Sequence, residues 1–192
     1  MSDIGKLCYR ANGVDAGKLC YKSSGADAGK LVFKVHPGDW TIITSAWDLN
    51  GRDLDICAYW TGAPNMVMGF GHNTSQNEQI SGPYHIIYSG DKQGVNEAEW
   101  VKVKMEPWDG GYRTFNMHFN FYGYDASSYP ASKCIVIASQ VNGNTIILPD
   151  VSCSTRTGNT SIQPNPGIAT TSDPGVRVTF DSIGYIQSVE AI

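Results

Sequence analysis

Wherever this chain shows a pattern of hydrophobic and polar positions, the period is two. From Glu99 to Met105, Val101, Val103 and Met105 alternate with Trp100, Lys102 and Lys104. From Arg113 to Gly123, Phe115, Met117, Phe119 and Phe121 alternate with Asn116, His118 and Asn120. Successive side chains of a strand point to opposite faces, so this spacing predicts half-buried β-strands. On that basis His118 is an ordinary surface residue on the polar face of its strand. Other strand-like runs are DWTIITSAW from Asp39, LDICAYW from Leu54, YHIIY from Tyr84, KCIVIASQ from Lys133 and NTIILP from Asn144. VRVTF from Val176 and GYIQSV from Gly184 close the chain. Asn142-Gly143 between two of these runs is a strong hairpin signal. No stretch of a dozen residues carries a 3.6-residue period, so no helix is predicted.

The first residues repeat one unit three times, with glycines at Gly5, Gly17 and Gly29. Leu7 and Tyr9, Leu19 and Tyr21, and Leu31 and Phe33 fall on one face. Lys6 and Arg10, Lys18 and Lys22, and Lys30 and Lys34 fall on the other. Each unit reads as a short strand followed by a turn, ANGVDA or SSGADA. Three such units bury little, so they are expected to pack on the rest of the chain, a protein partner or another copy. The predicted organisation is an N-terminal three-fold short β repeat over 1–38 and a sandwich domain over 39–192. Within the latter, a Ser/Thr/Gly/Pro-rich loop spans 151–175 and a final hairpin 176–192. The predicted fold class is all-β, a two-sheet β-sandwich with an N-terminal short-strand repeat appendage.

Composition supports a folded β protein. Hydrophobic residues make up 41% of the 192 and charged residues 17%, enough for a core and too little charge for a disordered chain. The net charge is −4 with no basic run, which argues against nucleic acid. No segment approaches the roughly 18 apolar residues of a membrane span. The start, MSDIGKLCYR, has no signal-peptide pattern. The expected location is cytoplasmic, or a virion or cell surface after cytoplasmic assembly. Five cysteines without a CxxC exclude the usual zinc spacings. Cys8 and Cys20 correspond to Val32 in the third repeat, so the position reads as a small packed hydrophobe.

Two acidic groups carry the candidate chemistry. DLNGRDLD supplies Asp48, Asp53 and Asp55, and SGDKQGVNEAE supplies Asp91, Glu97 and Glu99. Asp53 and Asp55 are two apart, as are Glu97 and Glu99, so each pair shares one strand face. Paired carboxylates repel and call for a counter-charge. Oxygen-only donors suit a hard cation, above all calcium. The offsets do not fit an EF-hand.

AWDLNGRDLDICAYW, followed by YSGDKQGVNEAEWVKVKM, resembles the tellurium-resistance (TerD-like) stress-protein domain over about residues 39–139. The resemblance implies a calcium-binding β-sandwich with Asp53, Asp55, Asp91, Glu97 and Glu99 as ligands. This chain departs from the family in its thinner acidic loop, which implies weaker calcium binding. Nothing in the sequence selects a nucleophile–base pair: it holds no GxSxG, P-loop or HExxH, and no Cys–His pairing is visible. A non-enzymatic module is therefore expected. A second expectation is a structural or adhesive component of a phage particle or cell surface. In EPWDGGYRTFN, Trp108 and Tyr112 flank Gly110 and Gly111 as a platform for a glycan.

Overall fold

The computed structural model describes residues 8–11, 14–21, 31–35, 38–46, 53–92, 98–123, 132–141, 143–157 and 174–192. For residues 8–11, 14–21, 31–35, 53, 122, 123, 132 and 154–157 the description is of the backbone alone. All regular structure among them is β.

β1 (Cys8–Ala11), β2 (Val14–Tyr21) and β3 (Leu31–Val35) form an antiparallel meander that shares no pairing with the other described strands. Three strands from three repeats agree with the sequence pattern. The turn does not: Ala11 pairs with Val14, so Val14, Asp15 and Ala16 of the expected turn belong to β2. The two-faced arrangement of the repeat side chains, and Cys8 and Cys20, lie outside the described side chains.

The sandwich follows. β4 (Thr41–Ala46), β7 (Gln79–Ser81), β8 (Tyr84–Tyr88), β9 (Trp100–Met105), β11 (Ser132–Gln140) and β12 (Thr145–Thr157) make one sheet, ordered β12-β11-β4-β9-β8-β7. β5 (Asp53–Trp60), β6 (Met68–Gly69), β10 (Thr114–Gly123), β13 (Gly175–Phe180) and β14 (Ile186–Ala191) make the other, ordered β6-β5-β10-β13-β14. Neither two-residue β6 nor three-residue β7 carries enough alternation to be legible in sequence. The two sheets pack face to face over one apolar core. Trp60 sits near its centre, with ring centroids 5.1 Å from Tyr84, 5.3 Å from Phe115 and 5.1 Å from Phe180. Its indole N–H is satisfied by the His85 carbonyl at 3.1 Å, as a buried donor requires.

β12 corrects the expected boundary of the 151–175 loop. The strand runs on to Thr157, and Gly175 already belongs to β13. Val151 and Cys153 point inward, 2% and 5% exposed, a period-two signal hidden by flanking Ser and Thr. Ile135 opposes both Pro149 and Asp150, because Cys134 pairs with Val151 and Val136 with Leu148. Proline lacks an N–H and is at home in such a bulge; Asp150 there takes φ 61°. Beyond the bulge β12 changes partner. Ser154–Thr157 lie parallel to Asn120–Gly123 of β10, the one parallel pairing among the described strands. A strand that passes from one sheet to the other is one way a sandwich closes a corner.

Candidate metal centre

Three acidic side chains from three places in the sequence meet at one end of the sandwich. Asp55 lies on β5, Asp91 follows β8, and Glu99 precedes β9. Each offers a carboxylate oxygen, and these oxygens all lie within 4.8 Å of one another. Asp55 is 6% exposed and Glu99 0%, while Asp91 is half-buried.

The local backbone explains the convergence. β8 and β9 are antiparallel neighbours, and Ser89 continues the ladder by donating its N–H to the Trp100 carbonyl at 3.0 Å. The Ser89 hydroxyl then accepts the Trp100 N–H at 3.1 Å. Gly90 turns the chain with φ 82°, and a Cβ there would lie 2.7 Å from the Gln76 side-chain nitrogen. Glycine is favoured by the conformation, while the Gln76 side-chain end is free to yield to a Cβ. The turn delivers Asp91 beside Glu99. Asp55 is brought in by β5, which pairs with β6 only through Cys57 and Ala58.

Glu99 fills the gap that short β6 leaves. Its Oε2 accepts the Ile56 N–H at 2.9 Å, next along β5 from the last residue paired to β6. Its Oε1 accepts the Tyr88 hydroxyl at 2.5 Å and the Lys92 N–H at 3.1 Å. Burial pushes the Glu99 carboxyl up to about 8, and the like charge of Asp55 adds to the rise. The hydrogen bonds from Tyr88, Lys92 and Ile56 oppose it without cancelling it. Burial likewise drives the Tyr88 hydroxyl well above its ordinary range, helped by Glu99.

Of the five residues expected at a cation site, Asp55, Asp91 and Glu99 therefore come together. The backbone of Asp53 lies in β5 as expected, but its side chain, with Glu97 and Asp48, lies outside the described residues. Three oxygens at this spacing fit a hard divalent cation. Calcium–oxygen distances of roughly 2.3–2.6 Å allow its ligand atoms to stand up to roughly 5 Å apart. Trp108 and Tyr112, expected on a loop, are exposed by 40% and 66% between β9 and β10.

A second group of polar residues corrects the sequence reading. His118 is 1% exposed, not a surface residue, and Asn116 and Asn120 are as buried. β10 is a central strand paired to β5 and β13, and its second face, which carries Asn116, His118 and Asn120, is as buried as its core face, whereas the simple alternation implied an exposed one. The Tyr59 ring stacks on His118 at 5.9 Å and 15°. The Asn116 amide donates to the Tyr59 hydroxyl at 3.3 Å, and Arg177 Nε donates to Asn116 Oδ1 at 3.3 Å. Cys57 stands opposite His118 in the ladder, a Cys–His pairing that sixty intervening residues conceal in the sequence. The cysteines whose side chains are described, Cys57, Cys134 and Cys153, are buried thiols. The Cys134 contact and burial push the Cys153 thiol far up, so it stays protonated.

Comparison of the chain with models of known families, with curated proteins and with solved structures finds no match.

Proposed function

We propose that the chain is a non-enzymatic, calcium-binding β-sandwich module that acts as a binding or scaffold domain, in the manner the tellurium-resistance resemblance implies. The observation that carries this reading is the meeting of Asp55, Asp91 and Glu99 within 4.8 Å. A divalent cation supplies the counter-charge that three neighbouring carboxylates need, and the donors are the hard oxygens calcium prefers. Two of the three are sealed from water, so the site pays for burial that a cation would offset. A binding role is favoured over catalysis because the one Cys–His pair described, Cys57 and His118, is 0% and 1% exposed and offers a substrate no approach. The test is thermal unfolding after EDTA and again after calcium chloride. A ligand that binds only the folded chain at a hundred times its Kd adds about 2.7 kcal/mol. A midpoint indifferent to both reagents sinks the reading, as does a calcium response that survives in Asp55→Asn/Asp91→Asn.

The exposure of Trp108 and Tyr112 on one loop favours a second reading, an adhesive component that contacts glycans. In that case the N-terminal repeat is its element for self-association or for a protein partner. Glycan-array binding that is lost in Trp108→Ala supports the first part. Light scattering on the full chain and on a form without residues 1–34 tests the second; two monomers of the expected masses count against it.

A further inference from the structure

The last strands of the two sheets, β6 and β7, lie on the same side of the sandwich, and a cavity of about 410 Å³ opens there. This is within the range of small-molecule sites, roughly 300–1,000 Å³. Its walls are the loop that leads from β5 into β6, Asn73 on the next loop, and Gln79 and Ser81 of β7. Among the described residues the lining contains no charged side chain, although the chain as a whole carries 32.

That lining selects a class of ligand. Asn65, Asn73, Gln79 and Ser81 bring three amides and a hydroxyl. An amide carries donors and an acceptor, which suits hydroxyl groups that both donate and accept. Gln79 Nε2 already donates to the Asn77 and Glu78 carbonyls at 3.2 and 3.4 Å, so what Gln79 offers a ligand is its side-chain oxygen. Asn73 already accepts the Ser75 N–H through Oδ1 at 2.9 Å, so what it offers a ligand is its NH₂. Pro64, Met66 and Val67 provide an apolar surface beside these groups. A phosphate or an amino-acid zwitterion finds no charge partner in such a cavity, and a purely apolar ligand would leave the amides unsatisfied.

The cavity is also tied to the aromatic loop. Gly62 lines it, and a Cβ on Gly62 would lie 2.1 Å from the Tyr84 hydroxyl. That hydroxyl donates to the Tyr112 carbonyl at 2.6 Å. The loop that carries exposed Tyr112 is thus fixed to the cavity wall through Tyr84.

We propose that this cavity binds a neutral saccharide unit, with Asn65, Asn73, Gln79 and Ser81 meeting its hydroxyls. This rests on the glycan-binding reading and moves the principal contact from Trp108 to the cavity. The test uses the full chain, labelled with ¹⁵N, titrated with the methyl glycosides of glucose, galactose, mannose and N-acetylglucosamine at millimolar concentration. Glucuronic acid and glucosamine serve as charged counterparts. At least one neutral glycoside is expected to shift the amide signals of Asn65, Asn73 and Gln79, and the charged sugars to bind more weakly. Asn65→Ala and, separately, Gln79→Ala should each weaken binding about tenfold, the cost of one lost polar partner. Asn65 is exposed, so its replacement leaves the fold intact. Absence of binding by every neutral glycoside overturns both this proposal and the glycan reading. Binding untouched by Asn65→Ala and Gln79→Ala but lost in Trp108→Ala overturns this proposal alone.

Discussion

The outer faces of the two sheets invert the usual relation between polarity and burial. On β5 and β10 the outward residues are Asp55, Cys57, Tyr59, Asn116, His118 and Asn120, and none is more than 6% exposed. On β4, β11 and β12 the outward residues include Ile42, Ile135 and Ile147, exposed by 36%, 44% and 57%. The inversion reaches inside β4, where Thr41 and Ser45 face the core and Ile42 faces out. Burial is set by what lies over a face, and polarity only sets what burial costs. The polar face meets that cost with a network of stacked and hydrogen-bonded groups, whereas the apolar face, where Ile147 stands opposite Ile137, buries no polar group and incurs none of it.

Substitutions can break this contrast. The largest effect is expected for Tyr59→Ala, which removes the ring stacked on His118 and the hydroxyl held by Asn116. It should cost about 3–5 kcal/mol in urea unfolding, the range for a buried aromatic. A loss near zero would mean the face is not sealed as described.

Next comes the pH dependence of stability at the charged end of the same face. Glu99 titrates at about 8 in the folded chain against an ordinary 4.5. Between these values the folded chain binds more protons than the unfolded one, so stability falls as pH rises. The contribution is complete below 4.5 and is lost through about 8. The slope is at most about 1.4 kcal/mol per pH unit. Urea unfolding at several pH values should show it without cation, and Glu99→Gln should abolish it. Saturating calcium should flatten it by holding the carboxylate ionised.

Thr41→Val is expected to raise stability by about 1 kcal/mol, because the buried Thr41 hydroxyl has no hydrogen-bond partner among the described residues and valine keeps its shape. A loss of stability in thermal melts would reveal a partner for that hydroxyl. The smallest effect belongs to Ile147→Thr on the open face, within about 0.5 kcal/mol either way. A large loss there would show that something covers the isoleucines in solution.

The strands of the sandwich were legible where alternation was long. β8, β9 and β10 have the outlines their residues announced, and the inward positions of β9 are Val101, Val103 and Met105 as expected. The same rule failed for His118 because alternation reports which residues share a face, not whether that face is covered. It failed for residues 151–157 because Ser and Thr read as loop although threonine suits a strand well. At the acidic cluster Asp55, Asp91 and Glu99 were legible from residue type. Tyr88 and the Ile56 N–H were not, since one looked like core and the other is backbone. Both become visible only when β6 stops short and Glu99 takes over the edge of β5.

The change of partner along β12 has a mechanical meaning. Its first half is a rung of one sheet, and Ser154–Thr157 are a rung of the other. The sheets cannot slide or peel apart as intact halves without tearing a continuous backbone ladder. The sandwich should therefore melt in a single step, with calorimetric and van't Hoff enthalpies in agreement. A force applied across the two sheets would load this one strand as a clasp before it reached the core.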